Sequence, residues 1–392
     1  MLRNLPGLLR NLPGLLVWMV GLSLFALPGI DSAGFHCAAW ADEVTPEAVE
    51  KILETCREKN EVPALAAAIV RVGQPTVIAA VGVRKRGDET KVEPDDKFHL
   101  GSCTKAMTAT LIAKLVEQGK LKWDTPLETV FADLGVEISP QLRPVTLAHL
   151  LAHQSTLEDL SLSEFRKLST GDIKDQRLAV VKQALTQKSD KKPGESFKYA
   201  NINYIVAGAI AEQATGKSWE ELMEEEIFKP LQMTSAGQGP MATPGKVDQP
   251  WSHFGNGKPV EPSPFGDNPT VLGPAGRAHC SVGDWAKFAT EHLVGEKGDG
   301  ALLKPESYKL LHTPEFAVSY TRGGWGASDT PWGKGLMHDG SNTLNYSTAL
   351  LLPEKGVAIL VACNQGDTEK HGAVACTEAR KALANLVLGT KD

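Results

Sequence analysis

The sequence predicts an α/β (α+β) chain in which one five-stranded sheet, flanked by helices and built from both chain ends, carries an inserted all-helical lobe. Three observations lead there. Strand-like runs occur near the start, Leu65–Val72 and Thr76–Val83, and near the end, Gly335–His338, Thr343–Leu352 and Val357–Cys363. Helical patterns occupy both termini of the folded part, and helical periodicity also dominates from about 120 to 235. Two chain ends that supply strands to one sheet leave the middle as a second lobe, and the junction of two lobes is the natural cleft. The sheet lobe is expected over about 42–98 and 277–392, and the helical lobe over about 99–276.

The first forty residues stand apart. Arg3 and Arg10 precede an apolar run from Leu15 to Leu27, and Ala39-Trp40-Ala41 offers a small-x-small site, so residues 1–41 read as a secretory signal cut before Asp42. The alternative, an uncleaved anchor, has about 13 apolar residues where a membrane span needs about 20. The repeat LRNLPGL at 2–8 and 9–15 is confined to this leader, and Phe35-His36 argue against lipid attachment at Cys37. Export to the periplasm or the extracellular space is the expectation, with no stable membrane span after cleavage. Cleavage leaves five cysteines, too few and too uneven for a disulfide framework, so most are expected to be buried small apolar residues. The chain has 392 residues, 42% hydrophobic and 22% charged, with a net charge of −6 and no basic run, which excludes a nucleic-acid footprint.

Taken in order, Thr45-Pro46-Glu47 is a helix start, with Val49, Ile52, Leu53 and Cys56 on its buried face. The two early strands form a hairpin around Gly73-Gln74. Met107, Leu111, Ile112, Leu115 and Val116 then mark a helix from Ser102 to Gln118, stopped by Gly119. Thr146–Leu151 is a short helix, Ile205–Ala214 another, and Ser218-Trp219-Glu220-Glu221 has the capping-box form of a third. Residues 236–276 hold eight of the 24 prolines and no periodicity, which reads as an irregular connection without helix or strand. Val282–Leu293 is helical, and a last amphipathic helix carries Val374, Ala379, Leu383, Leu386 and Val387.

Chemistry concentrates at the start of the 102–118 helix. A serine hydroxyl is a weak nucleophile that needs a base, and Lys105, one turn from Ser102, is one if burial lowers its pKa. The helix N-terminus adds unpaired N–H groups and a positive dipole end for a developing anion. Spacing alone leaves open that Ser102 is an N-cap and Lys105 a solvated helix residue. The same spacing recurs at Ser189-Asp190-Lys191-Lys192, but in a polar stretch with no apolar helix behind it. Tyr199 and Asn201 are two residues apart before a helix; the phenol can relay protons if cations lower its pKa, and the amide can hold a substrate amide. The alternative for Tyr199 is a packed aromatic with a satisfied hydroxyl. His338-Asp339-Gly340-Ser341 ends a strand where Gly340 lets backbone approach a ligand and the next N–H can join an oxyanion hole, or it is a simple turn. His149 and His153, four apart on one helix face, lack the glutamate of the zinc-protease signature and are expected to be structural. G-x-S-x-G, phosphate-loop and dinucleotide motifs are absent from the sequence.

Ser102-x-x-Lys105, Tyr199-x-Asn201 and His338-x-Gly340, in that order, resemble the motifs of the serine β-lactamase and penicillin-binding-protein superfamily. The nearer likeness is to the class C, D-alanyl-D-alanine carboxypeptidase and esterase branch, whose middle motif is Tyr-x-Asn. Similar surroundings, such as "FHLGSCTKAMTATLIAKLVEQGKL", "PVTLAHLLAHQSTL" and "HDGSNTLNYSTALLLPEKGVAILVACNQG", extend the resemblance over most of 45–390.

The resemblance implies an antiparallel sheet flanked by helices plus the helical lobe. It implies Ser102 as the acylated nucleophile, with Lys105 and Tyr199 sharing proton transfer. Asn201 would bind the acyl amide, the N–H groups of Ser102 and Ser341 would form the oxyanion hole, and His338 would line the third side of the cleft beside Gly340. An exported serine hydrolase of an ester, amide or D-amino-acid-containing peptide is expected, with a small-molecule or peptide substrate and no metal or cofactor. The alternative is a non-catalytic cell-wall or peptide-binding relative.

Two departures from the family pattern matter. His338-Asp339-Gly340 stands where many β-lactamases have Lys-Thr-Gly, so a substrate carboxylate loses its fixed ammonium, which points to weak β-lactam turnover. Thr156 stands where the family usually has glycine after Ser155. The family's first and last helices pack on one sheet face, so export and those helix positions together raise the hypothesis of a Cys56–Cys376 disulfide, which the sequence leaves open.

Overall fold

Strand alternation divides the apolar residues into two cores, one on each face of a single sheet. The computed structural model describes residues 44–367 and 370–389; the leader, Cys37 and the expected cleavage site lie outside them. Helix α1 (Pro46–Lys59) starts at Thr45, whose Oγ1 accepts from the Ala48 N–H at 3.3 Å. Strands β1 (Ala64–Arg71) and β2 (Val77–Gly82) form the hairpin. Helices α2 (Thr104–Glu117), α3 (Leu147–Leu151), α4 (Asn201–Thr215) and α5 (Val282–Val294) follow. Strands β3 (Gly326–Thr330), β4 (Gly333–Ser341), β5 (Tyr346–Leu352) and β6 (Val357–Cys363) precede the last helix, α6 (His371–Leu388).

The sheet runs β2-β1-β6-β5-β4-β3 and is antiparallel throughout. The chain ends therefore interleave, with β1 beside β6 in the register Leu65↔Cys363 to Arg71↔Val357. Ala66, Ala68, Leu351 and Leu360 face a core shared with α2, α4 and α5, while Leu65, Ile69, Leu350 and Ile359 face α1 and α6. Covered on both faces, β1 and β6 are buried at every position, which is why they read as continuous apolar runs.

The sheet has six strands where the sequence predicts five. The sixth, β3, is a short polar strand (GASDT) without apolar alternation; it pairs with residues 333–337 of β4, and its Gly326 also bridges Tyr320. The edge of β4 beyond Met337, toward Ser341, is not paired by β3.

Other elements depart from expectation for physical reasons. Helix α2 is buried on nearly all sides, not on one stripe; alanines and threonines fill the close approaches, and Lys114 reaches the Glu226 carbonyl at 2.9 Å. Residues 236–276 contain short strand pairs, Gly237–Gln238 against the strand Ala278–Ser281 and Ser252–His253 against Pro259–Val260, which two-residue lengths conceal from any periodicity. His149 and His153 do not share a helix face, because α3 ends at Leu151 and His153 lies beyond it with φ +56°.

The Cys56–Cys376 disulfide is not formed; Cys56, Cys103, Cys280, Cys363 and Cys376 are all free and buried. Helices α1 and α6 do meet, through Lys59 Nζ and Asn60 Nδ2 on Glu378 at 2.6 and 3.0 Å. Cys376 lies two residues before Glu378, about 200° around the helix. Its thiol faces the sheet, against Cys363 and the Tyr346 carbonyl.

Candidate active site

The nucleophile turn is shaped by two backbones that touch with no side chain between them. Residues Gly101–Cys103 form a 3₁₀ turn leading into α2, and Gly101 has φ +48°. A Cβ on Gly101 would lie 2.3 Å from the Ser341 nitrogen, and one on Gly340 would lie 2.0 Å from the Leu100 oxygen and 2.9 Å from the Ser102 nitrogen. Only glycine at both positions lets the end of β4 lie against the Ser102 turn. The amides of Ser102 and Ser341 are thereby brought to one place.

Lys105 is wholly buried, and its Nζ donates to Ser102 Oγ at 3.0 Å, Asn201 Oδ1 at 2.8 Å and the Ala275 carbonyl at 2.8 Å. The Tyr199 ring lies 4.8 Å from the amine. Burial pulls the Lys105 pKa down to about 7, against the opposing pull of the Asp159 carboxylate. An amine in this setting is half neutral near physiological pH and can accept a proton from Ser102.

The Tyr199 ring is 41% exposed on its outer side, while its hydroxyl is turned inward to the Ser102 side chain. No cation lowers this phenol. Burial pushes its pKa well up, against the smaller effect of the Ser102 hydroxyl, so it stays protonated. Its ring packs on His153 at 4.3 Å, within a cluster that includes Phe197, Tyr204 and Tyr320.

Asn201 opens α4 four residues earlier than periodicity predicts. Ala200 at the cap has no capping side chain; Asp159, from a distant loop, supplies it. Asp159 Oδ1 accepts from the Ile202 N–H at 2.8 Å, and Oδ2 accepts from Asn201 Nδ2 at 2.9 Å. The same carboxylate therefore caps the helix and aims the Asn201 carbonyl at Lys105.

His338 faces the cleft from β4, and strand alternation turns Asp339 to the opposite face, where it meets Thr348 Oγ1 at 2.5 Å and Arg380 at 3.3 Å. Asp339 thus plays no part at the cleft wall. His338 Nδ1 donates to the Asp339 carbonyl at 2.7 Å, which leaves Nε2 to accept from the Tyr320 hydroxyl at 2.9 Å. Burial, then the Lys105 charge, lower its pKa to about 3, so the third wall of the cleft is neutral.

The remaining sequence candidates lie elsewhere. Ser189 Oγ accepts from the exposed Lys191 N–H at 3.1 Å in a polar loop. His149 Nδ1 pairs with Thr146 Oγ1 at 2.9 Å, capping α3, and His153 Nδ1 accepts from the Ala200 N–H at 3.2 Å. Thr156 takes φ +72°, so the turn that glycine usually makes persists with a β-branched residue in the left-handed region. None of the residues around Ser102 lines the cavity of about 700 Å³ bounded by Leu293, His312, Leu336 and Pro353. Asp159, Tyr320 and the Ala275 carbonyl had no signal in the sequence, because each reaches the site from a loop with no local spacing to Ser102.

The chain is similar to known proteins over most of its length. The family described as Beta-lactamase matches residues 49–384. Penicillin-binding protein 4 of Amycolatopsis lactamdurans is 30% identical over 328 residues, covering 80% of this chain and 84% of that protein. The unguisins hydrolase ungD' of Aspergillus campestris is 23% identical, over 83% of this chain and 62% of its own length. The octameric penicillin-binding protein homologue from Pyrococcus abyssi superposes with a TM-score of 0.71 at 25% identity, covering 87% of this chain and 77% of that one.

Proposed function

Because the chain belongs to the Beta-lactamase family, we propose that it is an exported serine hydrolase that forms an acyl-enzyme on Ser102 and hydrolyses an ester, amide or D-amino-acid-containing peptide bond. The observation that carries this reading is the 3.0 Å contact between Ser102 Oγ and a wholly buried Lys105 amine. The leader in the sequence supports export; among the described residues no helix is long and apolar enough to cross a membrane.

In acylation, neutral Lys105 takes the Ser102 proton as Oγ attacks the substrate carbonyl carbon. The oxyanion forms against the N–H groups of Ser102 and Ser341, where fixed donors stabilise the developing charge. The protonated Tyr199 phenol is the donor to the leaving group and is reprotonated from the Lys105 ammonium. Water then attacks the ester on Ser102, giving a proton to Lys105; the C–Oγ bond breaks, the acid leaves, and Ser102 Oγ takes that proton back from the Lys105 ammonium. Asn201 on one wall and the β4 edge at Gly340-Ser341 on the other bracket the acyl amide, and His338 closes the third side. Being neutral, His338 gives a substrate carboxylate no ion pair, so β-lactams are expected to be poor substrates.

The test is a panel of p-nitrophenyl esters, D-Ala-terminated peptides and nitrocefin, run on wild type and Ser102→Ala, with mass mapping of a fluorophosphonate adduct. Turnover of an ester or peptide faster than nitrocefin, lost in Ser102→Ala, is the expected result. Absence of any adduct on folded protein would favour a non-catalytic binding protein instead.

A further inference from the structure

We propose that His99, its ring proton held on Nε2 by Asp267, is a positioning residue that sets the Ser102 turn, and that Asp267 ties this turn to the Ser341 turn. The proposal rests on the acyl-enzyme reading above, and its test separates the two.

His99 Nδ1 accepts from the Gly101 N–H at 3.0 Å. It can do so only with the ring proton on Nε2, and Nε2 faces Asp267 Oδ1 at 2.9 Å. A carboxylate opposite one ring nitrogen fixes the proton there and leaves the other nitrogen as the acceptor. Both side chains are buried, at 2% and 1% exposure, so bulk water does not stand in for either partner.

The same carboxylate oxygen accepts from Asn342 Nδ2 at 2.9 Å. Asn342 follows Ser341, and Gly101 precedes Ser102. One oxygen therefore reaches both turns that carry the oxyanion-hole amides, and Asp267 touches neither amide itself. Arg277 Nε lies 3.4 Å from Oδ2 as an ion pair without a hydrogen bond, the Asn268 N–H donates to Oδ1 at 2.7 Å, and Arg166 donates to the Asp267 backbone carbonyl at 3.2 Å. Burial by itself would raise the Asp267 pKa, but His99 and Arg277 hold it well below the usual carboxylate range, which keeps the acceptor charged.

The fit between these backbones leaves no slack. Gly101 has φ +48°, and a Cβ there would meet the Ser341 nitrogen at 2.3 Å. Rotation of the Gly101 peptide therefore displaces the Ser102 amide relative to the Ser341 amide. Loss of one oxyanion-hole donor costs about 10²–10³ in rate.

Two substitutions at one position separate positioning from simple packing. In His99→Asn, Oδ1 can accept from the N–H two residues on, as asparagine does in an Asx-turn, while the Asp267 contact is lost. In His99→Gln, the longer amide can still reach Asp267, while the Gly101 acceptor is lost. The readout is saturation kinetics of Ser102 labelling by a fluorophosphonate, with a thermal melt of each variant.

Positioning predicts that the maximal labelling rate falls about 100-fold in His99→Gln and less than tenfold in His99→Asn, with half-saturating concentration within about threefold in both. A packing role predicts the reverse order, since glutamine keeps the buried carboxylate partnered. An equal loss in the two variants, no loss in either, or a better rate in glutamine overturns the proposal. If both variants melt below the assay temperature, Asn342→Leu replaces them: a tenfold lower maximal rate supports the tie, and an unchanged rate overturns it. Failure of Ser102 to label in wild type would instead overturn the acyl-enzyme reading.

Discussion

Lys105 Nζ donates to Asn201 Oδ1 at 2.8 Å while holding Ser102 Oγ at 3.0 Å, so the amine beside the serine is oriented by a residue on a different helix. The position of α4, and not α2 alone, decides whether the amine faces the serine.

The first prediction concerns pH. The Lys105 pKa is lowered to about 7 by burial, and only the neutral amine can take the Ser102 proton. The labelling rate with a fluorophosphonate is expected to rise about tenfold per pH unit below pH 7 and to level off above it. A rate independent of pH between 5 and 9 would remove Lys105 from the role of base.

A second prediction isolates Asp159. Asp159→Ala removes the cap on the Ile202 N–H and the partner of Asn201 Nδ2. Lost caps cost about 1 kcal/mol, and the freed amide no longer directs the amine. Urea denaturation should show that loss, and ester turnover should fall at least tenfold. If stability falls but turnover does not, Asp159 is a cap only.

Thr156 gives a stability prediction of the opposite sign. At φ +72° its backbone carries left-handed strain of about 1–2 kcal/mol, partly offset by the entropy glycine would lose. Its Oγ1 is also buried without a hydrogen-bond partner. Thr156→Gly should stabilise the fold by about 1 kcal/mol, read as a higher denaturation midpoint at unchanged m-value.

The cysteines supply a fourth. Cys56 and Cys376 are free, and the Cys376 thiol lies against Cys363 and the Tyr346 carbonyl. Non-reducing peptide mapping should find the two unlinked, and the melting temperature should be the same with and without reductant. A Cys56–Cys376 peptide in the map would show the helices to be rotated from the arrangement described.

The sequence by itself determined the elements whose signals are local. Thr45-Pro46 starts α1 where expected, the apolar runs become β1, β2, β5 and β6, and Ser102 and Lys105 share a face because one helical turn separates them. It also determined that His338, and not a lysine, stands at the third wall. Tertiary structure alone decided what depends on groups brought from afar. Asp159 starts α4 four residues early, and strand alternation against α6 removes Asp339 from the cleft. Burial, not a neighbouring cation, sets both Lys105 and Tyr199. Desolvation and long-range capping are properties of a packed interior, and no spacing along the chain encodes them.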